Sequence, residues 1–215
     1  MNCIVTAGPT YEPLDDVRRL TNVSTGRLGT ELANFLTARG HHVTLLVGEQ
    51  ATWPGNRRAQ RVETFTTTAD LFARLKSLAS ETMHGVFHAA AVSDFAFGKI
   101  QMRLPSGELA EIKSKKISTR DGRLFAELVP TPKIIAELRD WFPRARLAGW
   151  KFEAEGDRAD AIAAARRQIA DCRTDLCVAN GPAYGEGFGL ITGTGQAHVA
   201  GAESLFEALK IFLHE

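Results

Sequence analysis

Two short runs constrain this chain more than anything else in it. They are Val5-Thr6-Ala7-Gly8-Pro9-Thr10 and, a short way on, Asn22-Val23-Ser24-Thr25-Gly26-Arg27-Leu28-Gly29. The first reads as the end of an apolar strand, Cys3-Ile4-Val5, opening into a turn. The second reads as a glycine-rich entry into a helix: Leu28, Leu32, Phe35, Leu36 and Arg39 recur at helical spacing, and Gly40 stops it. A strand, a glycine-rich turn and a helix N-terminus make an anion site, because free backbone N–H groups and the positive end of the helix dipole face the ligand together. A phosphate or carboxylate is therefore expected near Ser24 to Gly29. Gly26 and Gly29 match the last two glycines of the G-x-G-x-x-G fingerprint, but position 24 is serine and the polar insert Tyr11 to Thr21 separates strand from helix. The frame is Rossmann-like with a non-standard ligand loop. The same glycines also suit a tight turn with close helix–strand packing.

The chain alternates regularly beyond this point. Strands are expected at Cys3–Thr6, His42–Val47, Arg61–Thr64 and Gly85–Ala89, with helices at Arg27–Ala38 and Ala69–Ala79. This order implies a parallel sheet with right-handed crossovers, whose ligands gather at the carboxyl ends of the strands. Residues 96–122 break the rhythm with Gly98, Pro105, Gly107, Gly122 and the cluster Lys113-Ser114-Lys115-Lys116, and read as a flap or β-arm. The α/β pattern then resumes. Leu124–Val129 is a strand, and a helix runs from Thr131 as N-cap and Pro132 as first residue through Trp141. Arg146–Trp150 is a strand, Asp157–Asp171 a helix and Asp175–Ala179 a strand. Gly189–Thr192 and Gln196–Ala200 form a hairpin, and Ala202–Leu213 is the last helix. The fold expected is α/β: a mostly parallel sheet flanked by helices, with a flap insertion and a C-terminal hairpin, as one domain over 1–215.

Bulk properties exclude several classes. The net charge of +1 gives no support for non-specific binding to nucleic acid or an anionic membrane. No apolar run approaches the ~20 residues of a membrane span. Residues 1–8 lack the charged segment and cleavage site of a signal peptide. Cys3, Cys172 and Cys177 are odd in number and sit in apolar contexts, which points to buried reduced thiols and a cytoplasmic protein.

Each strand on the carboxyl edge ends in something polar or unusual: Gly8-Pro9-Thr10, Ala90-Ala91-Val92-Ser93-Asp94, Gly149-Trp150-Lys151-Phe152-Glu153 and Asn180-Gly181-Pro182. Together they outline one composite site. Ala90 and Ala91 let a ligand approach the backbone. Asp94 either accepts hydrogen bonds from a ligand or caps its loop, and Asn180 either reads a base edge or ties a turn. His88 reads as a satisfied core polar group. No His/Cys/Asp/Glu spacing suits a zinc site. The lysine cluster is either a solvated charge run or a flap that closes onto phosphates.

In order along the chain, these motifs resemble the phosphopantothenate–cysteine ligase family. The match runs through Val5 to Asp15, Val17-Arg18, Asn22-x-Ser24-Thr25-Gly26-Arg27-x-Gly29, Ala90 to Phe95, Lys116-Ile117-Ser118, Pro132-Lys133-Ile134, Gly149-Trp150-Lys151 and Asp175-Leu176-x-Val178-Ala179-Asn180. The resemblance implies that a nucleoside triphosphate, CTP or alternatively ATP, with Mg²⁺, activates the carboxylate of 4′-phosphopantothenate for attack by the amine of cysteine. It implies that Gly8, Ser24, Gly26 and Gly29 contact the nucleotide phosphates, with Trp150 and Asn180 near base and ribose. Asn22, Ala90, Ala91 and Asp94 would line the phosphopantothenate site, with Asn22 acting in catalysis. Lys116 would be the catalytic flap lysine, with Lys113 the runner-up. Arg18 would reach into the other subunit of a homodimer. With no N-terminal flavin-binding decarboxylase domain, the chain looks like the stand-alone form, served by a separate decarboxylase.

Three departures stand out. Fused bacterial relatives carry further lysines where this chain has Arg166 and Arg167, Trp150 replaces a Phe, and Gly181-Pro182 follows Asn180. Two rivals remain: an NAD(P)-dependent oxidoreductase on the same frame, and a catalytically silent nucleotide-binding homologue. Neither Tyr11 nor Tyr184 has a lysine four residues on, which counts against the short-chain oxidoreductases.

Overall fold

A computed structural model describes every residue except 113, 115 and 119–122. In chain order the strands and helices are β1 Asn2–Ala7, β2 Tyr11–Pro13, β3 Arg19–Thr21, α1 Arg27–Ala38, β4 His42–Gly48, β5 Arg61–Phe65, α2 Thr68–Ser77, β6 Gly85–His88, β7 Phe95–Arg103, β8 Leu109–Glu111, β9 Leu124–Pro130, α3 Ile134–Trp141, β10 Arg146–Phe152, α4 Arg158–Cys172, β11 Leu176–Asn180, β12 Phe188–Thr192, β13 Gln196–Val199 and α5 Ala202–His214. A short 3₁₀ turn, Leu78–Ser80, follows α2.

Eight strands form the main sheet in the order β13-β12-β11-β10-β6-β1-β4-β5. From β5 to β11 every neighbouring pair is parallel, and β12 and β13 add antiparallel at one side. Strand order reverses between β1 and β6. That reversal opens a crevice at the carboxyl ends of the two strands, the place where open α/β sheets bind ligands.

The sheet strands read as near-continuous apolar runs because both faces are covered. Alternate residues serve opposite faces. Val5, Ala7, Val43, Leu45, Ala148 and Val178 meet α1 and α5. Ile4, Leu46, Val86 and Leu147 meet α2 and α3, and Cys177 and Ala179 meet α4. Cys3, Cys172 and Cys177 are buried free thiols; burial pushes Cys3 and Cys177 up to about 12, so neither is a thiolate at neutral pH. None of the described helices is long and apolar enough to cross a membrane.

Two expectations need correction. Leu124–Val129 was expected to resume the main sheet, but β9 pairs antiparallel with β7, and with β8 they make a separate three-stranded arm. Most of β9 is exposed, so it has no buried face to bring into the core. The arm therefore extends past 122 to Pro130. Thr131 was expected to cap α3, but the helix begins at Ile134 behind Lys133. The Thr131 hydroxyl donates instead to the Ser93 carbonyl at 2.5 Å, and its N–H to the Asp94 carbonyl at 3.0 Å. Thr131 thus ties the arm to the loop after β6.

Candidate active site at the strand-order reversal

The geometry starts with glycine. Gly8 leaves β1 at φ +78° and Gly26 enters α1 at φ +75°, a region L side chains avoid. The two backbones touch: a Cβ on Gly26 would lie 3.2 Å from Gly8 Cα and 2.9 Å from Ala51 Cβ. Gly29 has a different reason to be glycine. A Cβ there would lie 2.7 Å from Ala7 Cβ and 2.9 Å from the Thr6 carbonyl, so its absence lets α1 sit directly on β1.

The N-terminus of α1 is left open. Gly26 has no side chain to cap it, and no acidic residue stands in the first turn. Arg27 N–H finds Thr25 Oγ1 at 3.3 Å, and Ser24 is half-buried just before. An uncapped helix start keeps its amides and its positive dipole end for an anion.

Across the crevice, the loop from Ala90 to Asp94 is fastened residue by residue. Ala90 N–H donates to Thr6 Oγ1 at 3.1 Å, and Ala91 N–H to the Gly8 carbonyl at 3.0 Å. Ser93 N–H donates to Thr10 Oγ1 at 2.8 Å, and Thr10 N–H to the Ala91 carbonyl at 3.2 Å. Asn22 Nδ2 donates to the Ala91 and Val92 carbonyls at 3.1 and 3.0 Å. Both of its hydrogens are thereby spent, and only Oδ1 remains to face a ligand. Asp94 is exposed at the mouth.

His88 lies beneath this loop, its Nδ1 sharing a 2.9 Å hydrogen bond with Thr6 Oγ1. Burial lowers its pKa to about 4, so it is neutral at physiological pH. It is the satisfied core polar group its strand position implied. Thr6 and Thr10 were not singled out from sequence. The available signal was two threonines four apart, one inside an apolar strand and one just beyond it.

The two further strand ends lie beside the crevice. Trp150 packs against the core under α1, and its Nε1 is sealed from solvent with no acceptor among the described residues. Asn180 gives its carbonyl to Glu153 N–H at 2.9 Å. Gly181, at φ +108°, lies against Glu153, whose carbonyl accepts from Ala183 N–H at 3.1 Å.

The arm meets the β2–β3 hairpin. Asp15 accepts from the amides of Val17, Arg18 and Ile117 and pairs with the Arg18 guanidinium at 2.8 Å. Burial alone would raise the Asp15 carboxyl, but these donors hold it below its ordinary value. Arg18 also donates to the Ile117 carbonyl at 2.5 Å, so within one chain it braces the hairpin against its own arm. Lys116, next to buried Ile117, is exposed and makes no ion pair among the described residues. Lys113 lies outside the described residues. Arg166 donates to Gln196 of the C-terminal hairpin, away from the crevice.

The structure thus brings Gly8, Ser24, Gly26, Asn22, Ala90, Ala91 and Asp94 together around one crevice. Trp150 and Asn180 stand on its flank, and Lys116 and Arg18 on the arm–hairpin junction.

Comparison with known proteins identifies the family of the chain. Residues 1–209 match the family described as the DNA/pantothenate metabolism flavoprotein C-terminal domain. A coenzyme A biosynthesis bifunctional protein CoaBC from Thermococcus kodakarensis is 35% identical over 178 residues, covering 82% of this chain and 40% of that protein. The chain therefore spans about half the length of that curated relative. Among solved structures, the DNA/pantothenate metabolism flavoprotein from Streptococcus pneumoniae superposes with a TM-score of 0.85 at 25% identity, covering all of both chains. A Cab2 mutant in complex with phosphopantothenate-cysteine shares the fold, with a TM-score of 0.77 at 20% identity over 99% of this chain and 86% of that one.

Proposed function

The chain belongs to the family of the DNA/pantothenate metabolism flavoprotein C-terminal domain, and from that premise we propose that it joins 4′-phosphopantothenate to cysteine in coenzyme A biosynthesis. The observation that carries this reading is the pinned Ala90–Asp94 loop facing the uncapped N-terminus of α1 across the strand-order reversal. One wall offers amides for phosphates. The other offers a backbone that a pantothenate chain can approach closely.

In the first step a carboxylate oxygen of 4′-phosphopantothenate attacks the α-phosphorus of the nucleotide and pyrophosphate leaves. In the second the cysteine amine attacks the acyl carbon, an N–H proton is lost, and the nucleoside monophosphate leaves. Both reactants of the first step are anions, so the site must hold fixed positive potential. Preorganised donors of this kind contribute roughly 2.7–4 kcal/mol each. Gly8, Ser24, Gly26 and Gly29 frame the phosphates, and Trp150 and Asn180 flank base and ribose. Ala90, Ala91 and Asp94 line the phosphopantothenate. Lys116, on the arm, brings a point charge toward the reacting phosphates. Asn22 acts by holding Ala91 and Val92 in place and by presenting Oδ1.

No group of three His, Cys, Asp or Glu side chains converges among the described residues. Mg²⁺ would arrive on the triphosphate, whose charge it shields. CTP is taken as the nucleotide ahead of ATP, on the analogy with stand-alone bacterial ligases.

The whole chain acts as one unit, in the cytoplasm, as a homodimer, and a decarboxylase consumes its product. Exposed Val17 and Leu20 on the hairpin, Val23 just after it, and Phe95 and Leu128 on the arm supply the apolar surface a partner subunit would cover. Arg18, at that surface, would complete the neighbour's phosphopantothenate site. Sedimentation giving a monomer would refute the dimer.

Incubation with 4′-phosphopantothenate, cysteine and CTP or ATP should release pyrophosphate and yield the amide. Failure with both nucleotides, in a folded dimer, would overturn the ligase reading and favour the silent homologue. Nicotinamide binding would favour the oxidoreductase.

A further inference from the structure

Phe152 is the last residue of β10 and is 65% exposed. Side chains alternate along a strand, so Ala148, Trp150 and Phe152 leave β10 on one face. Ala148 is in the core under α1 and α5, and Trp150 packs against that core. Phe152 is the next step outward on the same face, at the carboxyl edge, and belongs to none of the three apolar clusters.

The ring stands on fixed backbone. Phe152 is in register with Asn180 on β11. The next residue, Glu153, is bonded to Asn180 and Ala183, and a Cβ on Gly181 would come within 2.5 Å of the Glu153 carbonyl. The strand ends of β10 and β11 are thus bound into one ledge. In the sheet β10 is two strands from β1, a separation of roughly 10 Å. A nucleoside triphosphate with its phosphates on the start of α1 spans that distance and brings its base to the ledge.

We propose that Phe152 is the stacking platform for the nucleobase, beside the half-buried Trp150, with the Asn180 amide at the base edge. This rests on the ligase reading and adds a residue to it. Stacking accepts any base face, so Phe152 sets nucleotide affinity, while hydrogen bonds at the edge set the choice of base.

The test uses Phe152→Ala and Phe152→Trp in the full chain; both change an exposed side chain and should leave folding intact. Phe152→Ala should raise the KM for the preferred nucleotide roughly 5- to 150-fold, the range of a lost base–aromatic stack. The KM for phosphopantothenate should stay within about twofold, and Phe152→Trp should restore the nucleotide KM, as a stacking role requires. Inorganic tripolyphosphate, which has no base, should inhibit wild type and Phe152→Ala with the same Ki. An unchanged nucleotide KM, or a tripolyphosphate Ki that shifts in parallel, would overturn the platform. So would a change of sedimentation coefficient in Phe152→Ala, which would make the ring a subunit contact. If wild type shows no turnover, the ligase reading fails first. Equilibrium dialysis of CTP and ATP against wild type and Phe152→Ala still decides the platform: equal affinities, or no binding to wild type, would end it.

Discussion

The two edges of the main sheet differ in how far their polar groups are already paired. A cleft of about 590 Å³ opens at the amino ends of the strands, lined by Met1, His84, Arg139, Arg146, Asp175 and Glu215 among others. Its polar groups are largely consumed. Arg139 donates to the carbonyls of Arg173, Pro143 and Ala145 and to Asp175, which also accepts from Leu147 N–H. His84 Nδ1 accepts from Asn2 N–H, and Arg146 lies over the Phe212 ring. The carboxyl edge keeps donors in reserve: the start of α1 and the Lys116 ammonium. An opening whose groups are already paired is a gap in packing. A surface with unspent donors on a rigid frame is a candidate site.

The sharpest way to break this comparison is Asn22→Asp. Asn22 uses both amide hydrogens on the Ala91 and Val92 carbonyls. Aspartate has none to give and sets a carboxylate against two carbonyl oxygens, beside bound anions. Turnover should fall roughly 10²-fold or more, the size of a lost preorganised donor, while the circular dichroism spectrum stays native. A rate within a few-fold of wild type would mean that the fastened loop is not part of the site.

Next in size is an effect of acid on the carboxyl edge. His88 is neutral and buried beneath Ala90, with its folded pKa lowered to about 4 from 6.5. The unfolded chain takes up a proton at the higher pH, so the stability His88 provides is complete above pH ~6.5 and is lost as pH falls toward 4. One such group accounts for up to roughly 3 kcal/mol across that window. Burial, with the N-terminus, His214 and Lys210, also lowers His41, which adds a loss of the same sign. Urea midpoints from pH 7 to 4.5 should therefore slope less in His88→Asn, whose amide oxygen can still face Thr6 Oγ1. An identical slope would remove His88 from the account.

How much of this was legible in the sequence depends on whether a residue's partners were near in the chain. The helix Arg27–Ala38 was readable to the residue, because its apolar period and the glycines around it are local. The Gly8, Gly26 and Ala90–Asp94 grouping followed from strand alternation alone, since parallel topology fixes where strand ends meet. The arm was read too short, because nothing in Leu124–Pro130 announces that its partner is Phe95–Arg103 and not the main sheet. Thr131 carried the local signature of a cap, but a carbonyl 38 residues away took its hydroxyl. Asn22 was singled out by resemblance, yet its hydrogen-bond partners, 69 and 70 residues distant, could not be.

A smaller effect separates the edges by charge. Lys116 is exposed on the arm and unpaired among the described residues. If it neutralises charge that develops during acyl activation, Lys116→Gln should lower kcat about 10-fold and change the nucleotide KM little, as loss of a contact stronger in the transition state requires. An effect confined to Lys113→Gln would move the role to that residue. No loss in either would leave the cluster a solvated charge run.

The smallest expected effect carries the comparison's other half. Arg144 lines the amino-edge cleft, is exposed, and has no hydrogen bond or ion pair from its guanidinium among the described residues. It is thus the counterpart of Lys116: a free cation beside an opening, on the opposite edge of the same sheet. If the amino-edge cleft bound an anionic substrate, this arginine would be its free anchor. Removing it would cost about tenfold or more in kcat/KM, the size of a hydrogen bond to a charged group. If the cleft is only a gap between paired groups, Arg144→Ala is a surface substitution, within about 0.5 kcal/mol in stability, and leaves kcat/KM for all three substrates within about twofold. The two cations can be assayed side by side under one protocol. A larger loss from Arg144→Ala than from Lys116→Gln would reverse the assignment of the two edges.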